Sequence, residues 1–258
     1  MEIYKLSDEI SDSKSAQLKI TDIRQAVRNE NRVNVFVNDK YAFSLDIAQV
    51  VDLGVKVGRV ISAEELADFK EASEFGKAYQ RALEWVLIRP RSIQELKDYL
   101  KRRQARGEAE DKKQEWKLER EVTEMVARGE EVNAKRLEKR ILKLKEKPKY
   151  DFSELIIERL VERGYVDDFK FAEYYVQNRF VKKGISQKRL KMELYKKGIS
   201  EEIIEQVLGE RNEEEEILKI IAKKRAKYDN EKLVGYLCRQ GFSYDLARNL
   251  VEKTTGDD

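Results

Sequence analysis

The strongest constraint on this chain is that part of it occurs twice. The stretch Leu190-Lys191-Met192-Glu193-Leu194-Tyr195-Lys196-Lys197-Gly198-Ile199-Ser200 recurs 43 residues on as Leu233-Val234-Gly235-Tyr236-Leu237-Cys238-Arg239-Gln240-Gly241-Phe242-Ser243. Two leucines, a glycine, an apolar residue and a serine coincide, and Ile203 and Val207 match Leu246 and Leu250. Leucines four apart lie on one helical face, the glycine suits a helix end, and the serine suits the N-cap of the next helix. A third copy lies upstream in two pieces. Leu96 and Leu100 match the leucine pair, and Phe152-Ser153, Ile156 and Leu160 match the turn and last helix, with about 47 residues inserted between them. The expected fold is mainly α: three tandem three-helix repeats in a curved array, since no single unit buries its apolar faces alone.

A small α/β part precedes the array. Ile20–Ile23 and Arg32–Val37 alternate as strands do, Asn38-Asp39-Lys40 makes a turn, and Tyr41–Leu45 returns, which predicts a hairpin in a three-stranded sheet. A short helix follows over Asp46–Val51, closed by Gly54, and Val55–Ile61 reads as extended or turn-like. Ser62 with Glu65 forms a capping box for a helix ending near Gly76, after which Lys77–Ile88 opens repeat one. Ser92 with Glu95 reads as a second capping box. The predicted domains are 1–75, 76–163 with an insertion over 105–149, 164–210 and 211–258. Within the insertion, Trp116, Val122, Met125 and Val126, then Val132, Leu137, Ile141 and Leu144, predict an antiparallel helical hairpin turning at Gly129; a single helix is the other reading. Repeat two opens on Asp167-Asp168 as caps, with Phe169, Ala172, Val176 and Phe180 on one face, and Ser186, Ser200 and Ser243 cap later helices.

Composition narrows the chemistry. The chain has no histidine, which removes the commonest general base and metal ligand, and its one cysteine, Cys238, reads as a buried inert thiol. No phosphate-binding glycine loop, nucleophile elbow or metal-ligand set is present, so no catalytic, cofactor or metal residues are predicted. No long apolar run occurs, and the expectation is a soluble, cytoplasmic monomer without membrane contact. Net charge is only +3, but residues 169–198 hold 9 basic and 2 acidic groups. The candidate partner-binding residues are therefore Arg179, Lys182, Lys183, Lys188, Arg189, Lys191, Lys196 and Lys197 around Gly184, echoed by Lys223, Lys224, Arg225 and Arg239 in repeat three and by Arg89 and Arg91 in repeat one. Three basic faces on an array suit a long anionic partner, either a nucleoprotein filament or DNA or RNA bound directly.

The motifs together resemble the RecX family of bacterial regulators of the RecA recombinase. Those that carry the resemblance are Arg89-Pro90-Arg91-Ser92 with Glu95-Leu96 and Tyr99-Leu100, and Gly164-Tyr165-Val166-Asp167-Asp168 with Phe171-Ala172 and Tyr175-Val176. Arg179, Gly184, Ser186, Leu190, Glu193-Leu194, Lys197-Gly198-Ile199, Tyr236-Leu237 and Gly241-Phe242-Ser243 also fit, as do Asn34–Val37 and Tyr41–Ser44. The resemblance implies a non-catalytic protein lying in the groove of the RecA–single-stranded-DNA filament. There it would inhibit ATP hydrolysis, recombinase and coprotease activity. Single- or double-stranded DNA is a further candidate partner, suggested by the basic residues. The 105–149 insertion departs from that pattern.

Overall fold

Alternating apolar residues build an antiparallel sheet of four strands rather than three: β1 (Leu18–Ala26), β2 (Asn29–Val37), β3 (Lys40–Asp46) and β4 (Val60–Ile61), in the order β3-β2-β1-β4. The computed structural model describes residues 17–27, 29–209 and 212–254, except for the side chains of 179–183. Its chain divides into two units, one running to Arg81 and taking in Lys149–Phe152, the other formed by Ala82–Pro148 and Ser153–Asp258. In the first unit β4 contributes only Val60 and Ile61, paired with Lys19 and Leu18, a strand too short to show any alternation. Val37 and Lys40 pair across a two-residue turn in which Asn38 and Asp39 both take positive φ, the twist that tight hairpins need. Ile20, Val35, Val37, Phe43 and Leu45 form a core with Val55, Ile61 and Phe69.

Asp46 caps α1 (Ile47–Asp52), and Gln49 closes the capping box. Ser62 and Glu65 form the predicted box before α2 (Ala63–Leu87), with the Glu65 amide donating to Ser62 Oγ and the Ser62 amide to Glu65 Oε2. The break expected near Gly76 does not occur, because α2 is one helix of 25 residues. Gly76 serves a close approach instead. A Cβ there would stand 2.7 Å from Gln49 Oε1, and Gln49 Nε2 donates to Ala72 O at 2.7 Å across the helix surface.

The second unit holds α3 (Ile93–Ala127), α4 (Glu131–Lys145), α5 (Ser153–Glu162), α6 (Asp168–Lys183), α7 (Gln187–Tyr195), α8 (Glu201–Leu208), α9 (Glu213–Lys224), α10 (Asn230–Arg239) and α11 (Tyr244–Lys253). These are the three tandem three-helix repeats. The first begins in the C-terminal part of α2, where Ala82 and Val86 are buried, and continues with Leu96 and Leu100 of α3 and Ile156 and Leu160 of α5. Repeat two packs α6, α7 and α8 around Phe171, Leu190, Leu194 and Ile204, and repeat three packs α9, α10 and α11 around Ile217, Leu233, Leu237 and Ala247. Ser186, Ser200 and Ser243 each accept an amide proton as N-caps.

Two sequence-predicted faces shift. In α6 the buried stripe is Phe171, Ala172 and Val176 with Tyr175 partly buried beside it, and Phe169, two residues and so about 200° from Phe171, is 38% exposed. Phe180 lies outside the described side chains. In α8 the fully packed pair is Ile204 and Leu208, with Ile203 and Val207 only partly buried. Cys238 is half-buried rather than buried.

The insertion is a helical hairpin, but it does not start a helix of its own. The helix that carries Leu96 and Leu100 runs unbroken for 35 residues to Ala127 and forms the first arm. Pairs four apart, Arg106 with Glu110 at 3.2 Å and Arg120 with Glu124 at 3.0 Å, support this solvated stretch. The arms meet through Leu118, Val122, Met125, Leu137 and Ile141, and Lys145 pairs with Glu115 and Glu119 at 2.9 and 3.1 Å. Trp116, Val126 and Val132, expected in this seam, are exposed.

Candidate partner-binding surface

Successive repeats are joined by one recurring device. At the start of α3 and of α7, the first free amide donates to a carboxylate from the first residue of the helix that opens the next repeat. Ile93 N donates to Asp168 Oδ1 at 2.8 Å, and Gln187 N donates to Glu213 Oε1 at 3.0 Å. Ser92 and Ser186 cap the same helices by accepting from Glu95 N and Arg189 N. A carboxylate suits a helix N-terminus because the unpaired amides and the dipole are both positive there. The glycine that ends the second helix of the next repeat then closes over this N-terminus. A Cβ on Gly198 would lie 2.7 Å from Gln94 Cβ, and one on Gly241 would collide with Ser186 Oγ. Burial pushes the Asp168 carboxyl above its ordinary value, against the opposing Ile93 hydrogen bond.

Side-chain charge differs between the joints. Between repeats one and two, Glu95, with a side chain only 12% exposed, gathers three cations. Lys197 Nζ donates to its Oε1 at 2.7 Å, and Arg89 Nη2 donates to Oε1 at 3.2 Å while standing 2.9 Å from Oε2. The N–H of Arg89 thus aims at Oε1, and Oε2 is held by charge rather than by a directed hydrogen bond. Arg91 stands 3.7 Å from Oε2 and lies 4.0 Å over the Trp85 ring, which itself stacks on Tyr99 at 4.4 Å. Burial, reinforced by Arg89, lowers the Arg91 pKa. The capping box expected at Ser92 is therefore half formed: Ser92 caps, while the Glu95 carboxylate turns to the cations. Between repeats two and three the position of Glu95 is taken by Arg189, which donates to Arg239 O and stands 3.5 Å from Glu193.

The predicted basic residues therefore divide into groups. Arg89, Arg91 and Lys197 are held by Glu95, and Arg189 is held at its joint. Lys191 pairs with Glu201 at 2.9 Å and approaches Glu205 at 3.9 Å, and its hydrogen bond to Glu201 raises its pKa. Lys224 lies over Tyr236 and Tyr228 at 5.5 and 5.9 Å, and Arg225 is half-buried with a buried Nη1 lacking a hydrogen bond. Lys188, Lys196, Lys223 and Arg239 are exposed and in no ion pair among the described residues. Arg179, Lys182 and Lys183 sit on the last turns of α6, with side chains outside the description. Lys188 and Lys191 line a groove of about 570 Å³ with Gln187, Ile204, Leu208 and Glu213.

Sequence reasoning missed other free cations. On α4, Lys135, Arg136, Lys139 and Lys143 are exposed and unpaired among the described residues, and their three- and four-residue spacing was the available signal. Among the described residues, no group of three or more acidic, cysteine or histidine side chains is placed to hold a metal ion, and no helix is long and apolar enough to cross a membrane.

Known proteins match this layout. Residues 18–62 match the regulatory protein RecX N-terminal domain, and residues 167–208 match the second three-helix domain of RecX. The regulatory protein RecX of Bacillus subtilis (strain 168) is 34% identical over 85 residues, 33% of this chain and 32% of that one, so the match spans about a third of that relative. The RecX of Listeria monocytogenes serovar 1/2a is 23% identical over 250 residues, covering 93% of this chain and 77% of its own. A crystal structure of a regulatory protein RecX superposes with a TM-score of 0.59 at 18% identity, covering 91% of this chain and 99% of that one, and so shares the fold. Two family domains in the expected order, on the strand unit and on repeat two, and a relative matched along nearly the whole chain make this protein similar to the RecX family of regulatory proteins.

Proposed function

We propose that the chain binds the filament that RecA forms on single-stranded DNA and restrains its ATPase, recombinase and coprotease activities, through contacts rather than catalysis. The observation that supports this reading, beside the family, is the sorting of charge in repeats two and three. Acids neutralise the cations at the joints and Lys191 on α7, while Lys188, Lys196, Lys223 and Arg239 are in no ion pair among the described residues. Unpaired like charges do not stabilise a fold; they gain from an anionic partner. A repeated array offers such charges at intervals, and a nucleoprotein filament is itself repetitive and anionic.

The test is a titration into RecA ATP hydrolysis on single-stranded DNA. The wild type is expected to inhibit well below one copy per RecA, less so as salt rises. Reversing Lys188, Lys196 and Lys223 together to Glu should abolish inhibition without lowering the melting temperature, since all three side chains are exposed. If the triple variant inhibits like its parent at moderate salt, the interface lies elsewhere. Inhibition that requires coating of the free DNA would support direct nucleic-acid binding without RecA.

A further inference from the structure

The insertion has an outer face that its packing leaves unexplained. Trp116 lies on α3 with 59% of its surface exposed, whereas the seam between the two arms is made by Leu118, Val122, Met125, Leu137 and Ile141. Lys112, Lys113 and Arg120 stand four before, three before and four after Trp116, so they share its side of the helix, and Lys117 adjoins it. Arg120 lies 6.0 Å from the ring centroid and pairs with Glu124 at 3.0 Å. Lys112, Lys113 and Lys117 are exposed and in no ion pair among the described residues. The neighbouring acids Glu115 and Glu119 are engaged by Lys145 of the other arm. The two acids nearest Trp116 are thus engaged within the hairpin, which presents a large π-face among cations.

We propose that this face binds single-stranded nucleic acid, with an unpaired base stacking on Trp116 and Lys112, Lys113 and Lys117 neutralising the flanking phosphates. The chemistry favours this occupant over a protein. A tryptophan that anchors a protein interface sits among neighbours that exclude water, whereas Trp116 has charged side chains around it. An indole needs only an accessible face to stack a base, and any base serves, so no pocket is required. Duplex bases already stack on each other and offer no free face. The proposal concerns nucleic acid alone and stands apart from any action on RecA.

The experiment uses the full chain without RecA and a labelled oligothymidylate as the probe, read by fluorescence anisotropy over a range of salt. Binding is expected to fall as salt rises, and Trp116→Ala should weaken it about tenfold or more, with Trp116→Phe close to the parent. Lys112→Glu with Lys113→Glu should weaken binding and flatten the salt dependence. Because all these side chains are exposed, each variant should keep the parent's helical circular dichroism and melting temperature. Trp116→Ala binding the oligonucleotide like the parent would overturn the proposal, as would equal losses for a blunt duplex of the same length. Loss of binding to an acidic peptide but not to the oligonucleotide would instead make the face a protein-docking site.

Discussion

The two joints between repeats use the same backbone device and opposite side-chain charge. At both, a serine caps the second helix, its first free amide is held by an incoming carboxylate, and a glycine from the next repeat closes over the turn. That common part follows from geometry, because a buried helix N-terminus must have its amides satisfied and a closely approaching backbone leaves no room for a Cβ. The charge does not follow from geometry. Glu95 draws Arg89, Arg91 and Lys197 into the first joint, whereas Arg189 at the second meets a backbone carbonyl and its neighbour Glu193. The first joint is an ionic cluster and the second a hydrogen-bonded contact. Cations in the first are consumed structurally, whereas at the second Arg239 lends only its carbonyl and its side chain is in no ion pair among the described residues.

The largest effect should establish that the repeats themselves are equivalent. Leu194→Ala and Leu237→Ala each empty a fully buried position, and both should cost about 2–5 kcal/mol in thermal or urea unfolding. Losses that differ severalfold would locate the difference inside the repeats rather than at their joints.

Next is the ionic cluster. Glu95→Ala leaves Arg89, Arg91 and Lys197 facing one another with no counter-ion and should cost about 3 kcal/mol, falling as salt rises. Glu193→Ala at the second joint, where Arg189 keeps the Arg239 carbonyl, should cost about 1 kcal/mol or less. Equal losses would mean that the charge difference has no energetic content.

The glycines should behave alike. Gly198 and Gly241 take φ of 77° and 96°, and a Cβ on either collides with the preceding repeat. Each alanine variant should lose about 2 kcal/mol, from backbone strain plus overpacking. A loss at only one of them would break the equivalence of the joints.

What the sequence shows of this follows from the physics of each feature. Glycine and serine have few reasons to recur at fixed positions between apolar pairs, so the repeat, its caps and the hairpin insertion are legible. The strand Val60-Ile61 is too short for a period, and the buried faces of α6 and α8 differ by one or two residues from the aligned ones because packing selects among adjacent apolar positions. Gly76 looks like a helix end, and only the side chain of Gln49 lying over it shows otherwise. For the candidate surface, the count of basic residues in repeat two is plain, but which of them are already paired depends on acids far away in sequence. Glu95 and Lys197, 102 residues apart, show no local signal. Helical spacing places Trp116 in the seam, yet it is exposed, because spacing alone does not say which side of a hairpin faces its partner.

The smallest effect concerns Asp168 and separates its hydrogen bond from its charge. Burial raises the Asp168 pKa above the ordinary aspartate value, and the neighbouring Asp167 adds to this, while the Ile93 amide and Lys97 oppose it. The folded chain therefore holds this proton to higher pH than the unfolded chain does. Between the two pKa values the folded state binds more protons, so stability falls as pH rises through that window and is level above it. Asp168→Asn removes the charge but retains an oxygen able to accept from Ile93 N. At pH 7 the variant should be as stable as the parent or slightly more so, by less than the ~1 kcal/mol of a net hydrogen bond. The difference should vanish as pH falls below the ordinary aspartate range. Asp168→Ala, which also removes the acceptor, should instead lose stability at both ends of the range. Melting temperatures of the three proteins between acidic and neutral pH decide the matter. If Asp168→Asn is clearly less stable than the parent at pH 7, the ionised carboxylate itself holds the α3 N-terminus, and the first joint is ionic at both of its contacts.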